Sequence, residues 1–469
     1  RGMFADMKTH YLWNEAVRQV TPDYTLGYED FLDDVLKKVA KQNDVNHDDG
    51  HWEGNTREYF YSNVVRYKKS TASAGIQTRG TRQTAEGLGI EMMFYMGLGQ
   101  NGNAPYAFLI AAVTPGSPVA KAGLKRGDII SQIDGFTITD SNLDNCWKRL
   151  MTTTSGSVRL TRFNTSTNEE DPEISVRATT YNDNPVWFQK TFDLEDGRKV
   201  GYLCYGSFNY YYDDALIAAF SQFRNEGIDE LIIDLRYNGG GHVVSSVVLG
   251  TLVAGAAHQG KVYARTTYNP DRKNETADEY KLGVARFNDG NAKYDKIATA
   301  LSSAIGLDHV HVLCTGSTAS ASELLINGLR GVDIEVRLIG KRTNGKNVGM
   351  EPKTKEFGAY EYIFSPITFY SLNAKDFYDY GNGFDPNVEA KDYAFYVDEE
   401  KKIHGVDWGD AEHDEMLALA LEWSESGSEP VLSHPLASTR AFDGLQPREL
   451  RTYAPVRVQN MVLLPEARQ

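Results

Sequence analysis

The run Ser317-Thr-Ala-Ser-Ala-Ser-Glu323 and the pair Gly345-Lys346 hold the residue types that a covalent hydrolase needs. A serine hydroxyl becomes a nucleophile when a base takes its proton, and a desolvated lysine can act as that base. Ser320 and Lys346 lie 26 residues apart, room for one helix and one strand. Ser317, Thr318, Ser320 and Ser322 all offer a hydroxyl. Ser320 and Glu323 have the spacing of a capping box, which starts a helix near Ser320. A helix N-terminus presents free N–H groups and a positive field, both favourable to an oxyanion. Taken alone, such hydroxyls only cap a helix.

Two further features turn the run into an active-site expectation. Asp234-Leu-Arg-Tyr-Asn-Gly-Gly-Gly241 follows an apolar strand. Consecutive glycines let a backbone approach a ligand and turn its N–H groups inward. The second feature is Lys346, in Ile339-Gly-Lys-Arg-Thr-Asn-Gly-Lys-Asn-Val348. An ordinary lysine titrates near 10.4 and a working base nearer about 7–8. The difference corresponds to about 4 kcal/mol, which burial in an apolar pocket can supply. Lys341 and Arg342 are expected to add repulsion. Alone, the glycines would be a tight turn and Lys346 an exposed loop residue.

The elements that must position these residues follow an α/β pattern from about Asn184. Strands are expected at Val200–Tyr205, Glu230–Leu235, Val310–Cys314 and Ile334–Ile339. Helices are expected over 213–224, 243–257, 320–329 and 411–423. Continuous apolar strands of this kind belong to a sheet covered on both faces. Residues 1–80 read as a mainly helical segment, with a polar turn at 43–50 and a linker at 68–84. That turn is only a loose calcium-loop match, because Asp49 stands in the usual glycine place. Beyond Pro430 the chain reads as an extended tail.

Composition narrows the partners. The 469-residue chain carries a formal charge of −15, which argues against nucleic acid or anionic lipid as main partner. Cys146, Cys204 and Cys314 are far apart and lie in apolar surroundings, so they are expected as buried thiols. No metal or other cofactor is expected, and no segment is apolar enough over the length needed to span a membrane. The chain begins Arg1-Gly-Met without a leader, and the expectation is that an export signal or lipid anchor has been removed.

Between about 86 and 180 the motif Pro115-Gly-Ser-Pro-Val-Ala-Lys-Ala-Gly-Leu-Lys-Arg-Gly-Asp-Ile-Ile-Ser-Gln-Ile-Asp-Gly135 resembles a PDZ domain of the bacterial protease type. That resemblance makes Gly87, Leu88, Gly89 and Ile90 the loop that binds a peptide C-terminal carboxylate, with the adjoining strand edge pairing with the peptide. The whole series resembles the C-terminal processing (tail-specific) serine peptidases over roughly residues 86–395, including Gly383-Phe-Asp-Pro-Asn-Val388. The resemblance implies an α/β fold with a crotonase-like catalytic core, an inserted PDZ domain and a helical N-terminal segment. It divides the chain into 1–80, 86–180, 185–423 and a tail at 424–469. It implies Ser320 as nucleophile, Lys346 as general base, and an oxyanion hole from the N–H groups of Ala321 and Gly240. It also implies an exported, cell-envelope protein whose partners are protein or peptide substrates bound through their C-termini. Family members often place a glutamine four residues after the lysine to orient it; here that place holds Met350, with Glu351 next. The rival expectations are a degenerate binding protein of the same fold and an acyl-CoA enzyme.

Overall fold

The computed structural model describes residues 1–39, 45–46, 59–68, 83–98, 104–165, 167, 169–273, 278–287, 293–398, 400, 402–430 and 461–462. Its centre is a six-stranded sheet in the spatial order 186–193, 199–205, 230–234, 309–314, 335–340, 388–389. The first pair is antiparallel and the rest are parallel. The strand Glu230–Asp234 is buried at every position, as its apolar run requires between two covered faces.

Helices Asp213–Glu226, Val243–Ala254 and Ala321–Gly331 pack on one face. All twelve residues of Val243–Ala254 are buried. The helix stops at Gly255, short of the expected Ala257, and a 3₁₀ turn follows over Ala256–His258. Helix Glu415–Ser426 covers the other face through Met416, Leu417, Ala420 and Trp423. Three loops that carry candidate site residues leave the carboxyl ends of the parallel strands 230–234, 309–314 and 335–340. Sites in open α/β sheets form at such ends.

Residues 84–182 form a separate antiparallel unit with its own core. Its sheet runs 169–170, 157–164, 129–133, 106–113, 90–97, and the strand Ile90–Gly97 is the edge. Helix Leu143–Thr152 adds Cys146, Trp147 and Leu150 to that core.

The N-terminal segment differs from the expectation of a mainly helical 1–80. Helices occupy Gly2–His10, Asn14–Val17 and Tyr28–Val39, but Asn63–Lys68 is a strand paired with Tyr360–Ser365. The apolar spacing of Phe4 to Val20 is divided between two helices because the chain turns at Tyr11–Trp13, where Leu12 N–H bonds to the Ile367 carbonyl. Most of the polar turn at 43–50 and most of the linker at 68–84 lie outside the described residues. The N-terminal helices pack on Val348, Met350 and Ile367 of a second sheet. That sheet has the order 241–242, 461–462, 348–350, 367–373, 262–268, 279–281. Cys146, Cys204 and Cys314 are free and buried. Among the described residues no helix is long and apolar enough to cross a membrane.

Candidate active site

Ser320 stands where the strand His309–Cys314 has turned into helix Ala321–Gly331. Its backbone takes φ 61° and ψ −112°, a conformation that non-glycine residues rarely adopt. Such strain persists only when the surroundings impose it, and it gathers at functional sites. Here the imposing contacts are Ala319 N–H to the Asn238 carbonyl at 3.1 Å and Leu324 N–H to the Ser320 carbonyl at 2.8 Å. The Ser320 Oγ lies at the start of the helix, sealed from solvent, and forms no hydrogen bond of good geometry. Its neighbours are committed elsewhere. Thr318 Oγ1 donates to the Leu235 carbonyl at 2.8 Å, and Ser322 Oγ donates to the Asn238 carbonyl at 2.9 Å. Two of the three rival hydroxyls therefore hold the glycine loop.

Lys346 is fully buried, with its ammonium 4.6 Å from the centre of the Tyr61 ring. Its loop is fixed to the serine turn by Glu323. One oxygen of that carboxylate, Oε2, accepts from Ser320 N–H at 2.9 Å and Lys346 N–H at 2.8 Å. The other, Oε1, accepts from Gly345 N–H and the Thr343 hydroxyl, both at 2.6 Å. Burial pushes the Glu323 carboxyl up to about 7, while these four hydrogen bonds pull the other way. Asn344 adds two ties: its N–H bonds to the Thr318 carbonyl at 3.0 Å, and its Oδ1 accepts from Tyr61 OH at 2.7 Å. Phe384 of the Gly383–Val388 motif clasps the same loop, donating to Thr343 Oγ1 at 2.8 Å.

Sequence spacing assigned Glu323 to helix capping alone, and its role as a bridge needs the fold. The place of the expected glutamine is different again. Met350 is buried among the N-terminal helices, and Glu351 pairs with Arg272 at 2.5 Å. Lys341 and Arg342 are exposed, and Arg342 meets Asp385 at 2.6 Å, so they point outward rather than crowding Lys346.

Gly240 packs directly on the serine turn. Its φ is 105°, and a Cβ there would lie 2.7 Å from Ser320 Cβ and 2.9 Å from Ala321 N. Only glycine fits this approach. The Gly240 N–H donates to Asn238 Oδ1 at 2.9 Å, within the loop. Ala321 is the first residue of its helix, so its N–H is one of those a helix leaves without an internal partner.

Beneath the glycine loop lies a buried charge network. Arg236 pairs with Asp234 at 2.8 Å, Asp392 at 2.9 Å and Asp414 at 2.9 Å. Arg126, from the 84–182 unit, reaches the same Asp392 at 3.0 Å and Tyr237 OH at 2.8 Å. Burial would raise the Asp392 carboxyl, but Arg236 and Arg126 outweigh it and hold it at about 2. The two domains thus meet through ionised groups directly below the loop that packs on Ser320.

In the 84–182 unit, Leu88 and Gly89 turn their carbonyls into the domain, accepting from Val119 N–H at 3.0 Å and Thr114 N–H at 2.9 Å. Gly89 has φ 91°, and a Cβ there would come 2.1 Å from Ser117 Cβ. Ile90 opens the edge strand, and Gly87 lies beside the end of helix Leu143–Thr152. The loop thus stands beside a sheet edge and the end of a helix.

One histidine cluster stands apart from all of this. Glu230, His309 and His311 bring ligand-type atoms within 4.8 Å of one another at the opposite ends of the strands. Arg198 holds Glu230, so the group reads as an ion-pair cluster rather than part of the site.

Comparison with known proteins agrees with this organisation. The model of peptidase family S41 matches residues 199–389, and that of a PDZ domain matches residues 109–161. A carboxyl-terminal-processing protease of Picosynechococcus is 26% identical over 234 residues, 50% of this chain and 49% of that protein. A chloroplastic C-terminal processing peptidase of Tetradesmus obliquus is 26% identical over 286 residues, 58% of this chain and 53% of that protein. The chain spans about half the length of these curated relatives. A crystal structure assigned to an S41 protease of Bacteroides fragilis superposes with a TM-score of 0.64 at 23% identity, covering 91% of this chain and 98% of that one, which shows a shared fold. With the PDZ model and the peptidase model matched in that order, residues 109–161 and 199–389 are similar to the PDZ domain and to the catalytic region of peptidase family S41, as found in carboxyl-terminal-processing peptidases.

Proposed function

We propose that this protein is a serine endopeptidase acting through a Ser320–Lys346 dyad on proteins captured by their C-terminal tails. The observation that carries the reading is the state of Ser320: a strained, buried residue at a helix start, beside a lysine loop that Glu323 fixes to it, while the hydroxyls of Thr318 and Ser322 are bound to backbone carbonyls. The core at 185–423 is taken as crotonase-like, with the PDZ domain at 86–180 inserted ahead of it.

In the reaction, Ser320 Oγ attacks the scissile carbonyl carbon and gives its proton to neutral Lys346. The tetrahedral oxyanion is held by the Ala321 N–H and by the backbone of the glycine loop at Gly240. Such a donor is typically worth about 10²–10³ in rate. For Gly240 to donate, its bond to Asn238 must open or be shared. Collapse of the intermediate breaks the C–N bond, and the Lys346 ammonium protonates the leaving amine. Water, deprotonated by Lys346, then attacks the acyl-enzyme and releases Ser320.

Substrate capture is assigned to the Gly87–Ile90 loop and the edge of Ile90–Gly97. The bound peptide would add to that edge with its carboxylate on the loop N–H groups. We place the enzyme in the cell envelope, and fractionation of the native host tests that placement, a purely cytosolic protein contradicting it. The catalytic assignment is tested with Ser320→Ala and Lys346→Ala. Each should abolish cleavage of an unfolded or C-terminally tagged protein, and full activity in either overturns it.

A further inference from the structure

The second sheet contains a feature that its own sequence order does not explain. The segment Met461–Val462 lies as a strand between Gly241–His242 and Val348–Met350. It runs parallel to both, with Gly241 opposite Met461, His242 opposite Val462, and Met350 also opposite Val462. The two flanking strands are the direct continuations of the two candidate catalytic loops. Gly241 follows Gly240, which packs on Ser320, and Val348 follows Lys346 by two residues.

Without 461–462 the strand Gly241–His242 has, among the described residues, no neighbour on that side. Its other side is taken by Phe208, whose carbonyl accepts from His242 N–H at 2.7 Å. The space between the flanking strands is then about two strand spacings, roughly 10 Å. A slot of that width, with a ladder edge on each side, accepts one extended polypeptide backbone and selects for main chain rather than for a particular side chain. It opens beside Ser320 and Lys346. The slot is therefore where a protein substrate would lie as it reaches the serine.

We propose that residues 461–462 occupy the substrate slot of the peptidase as an intramolecular competitor, so that the chain's own C-terminal segment must leave before a substrate strand can enter. The proposal rests on the peptidase reading for its word "substrate", but the slot and its occupant are defined by backbone pairing alone. A tethered occupant acts at an effective concentration of about millimolar. A competitor that binds weakly in trans can therefore still raise the apparent KM several-fold.

The test uses the full chain with Met461→Pro and Val462→Pro together. Proline lacks the N–H needed for a ladder, so the segment cannot pair. In the Ser320→Ala background, a fluorescent synthetic peptide of residues 457–466 should bind the double-proline chain about tenfold tighter than the chain with its native tail. Equal binding in the two chains, or no binding to either, overturns the proposal. With Ser320 intact, the double-proline chain should show a KM for an unfolded protein lowered several-fold with kcat unchanged. An unchanged KM also overturns it. If neither chain cleaves anything, the peptidase reading fails while the binding measurement still decides the slot.

Discussion

Ser320 and Lys346 donate their backbone N–H groups to the same atom, Oε2 of Glu323. The proposed nucleophile and the proposed base, which come from loops after different strands, are thus tied to one buried carboxylate. Oε1 fixes the intervening loop through Gly345 and Thr343. Four donors converge on two oxygens, so all four bonds are made only by the ionised form, which burial opposes.

Glu323→Gln puts an amide where acceptors are needed. We predict a kcat lower by at least about 10² with substrate binding little changed, because a shift of about 1 Å in a catalytic group costs that much. Steady-state kinetics on an unfolded protein substrate checks it, and a wild-type kcat contradicts it.

The same carboxyl gives a pH signature in stability. Its folded value of about 7 lies above the ordinary 4.5, so between those values the folded state holds more protons than the unfolded one. Stability from this group is therefore greatest below about pH 4.5 and declines as pH rises toward 7. The decline is on the order of 2–3 kcal/mol and should be missing in Glu323→Gln. Urea unfolding of both chains at pH 5 and pH 7.5 measures the difference. Identical pH slopes would show that Glu323 is not held near neutral.

Gly240→Ala is predicted to fold and to lose activity. Its methyl would meet Ser320 Cβ and the backbone at Ala319 and Ala321 at 2.7–2.9 Å, on a backbone with φ 105°. The strain is on the order of 1–3 kcal/mol, which the core can bear, but the serine turn must move. We expect kcat/KM to fall by about 10² or more with the circular dichroism spectrum retained. Unimpaired activity would contradict Ser320 as the nucleophile on which this loop packs.

Arg126 joins the PDZ domain to the peptidase core through Asp392 and Tyr237. Arg126→Ala leaves that buried carboxylate with one cation fewer and the Ala111 carbonyl without its guanidinium partner. The predicted cost is about 3–5 kcal/mol, read as a lowered urea midpoint. A loss below about 1 kcal/mol would mean that the interdomain pair carries little of the assembly.

Capture of a C-terminus requires a free carboxylate. If the Gly87–Ile90 loop is the proposed capture site, a peptide with a free C-terminal carboxylate should bind at least about tenfold tighter than its amide, since the loop N–H groups would then face an anion. Gly89→Val should erase the difference, because any Cβ there collides with Ser117. Fluorescence anisotropy with the two peptides is sufficient, and equal affinities for acid and amide contradict the assignment of Gly87–Ile90.

Local features were legible in the residues. The apolar strand Glu230–Asp234, the helix beginning after Ser320 and the buried helix from Val243 each follow from short-range pattern. The candidate site residues could be named because serine, glycines and lysine sit in short motifs. What was not legible is carried by contacts between distant segments. Tyr61 reaches Lys346 from the N-terminal segment, and Arg126 reaches Asp392 from another domain. Glu323 looked like a cap because its nearest partner in sequence, Ser320 N–H, is a capping partner; its other three donors come from 343–346. Met350 looked like a gap in the catalytic machinery. It is instead a core residue beneath the N-terminal helices, a role that depends on a strand pairing no local pattern announces.

The most direct test of the account is covalent labelling with a fluorophosphonate probe, followed by peptide mapping. The account predicts one adduct, on Ser320, absent in Ser320→Ala and strongly reduced in Lys346→Ala at neutral pH. No adduct, or an adduct on Ser322 instead, would contradict it.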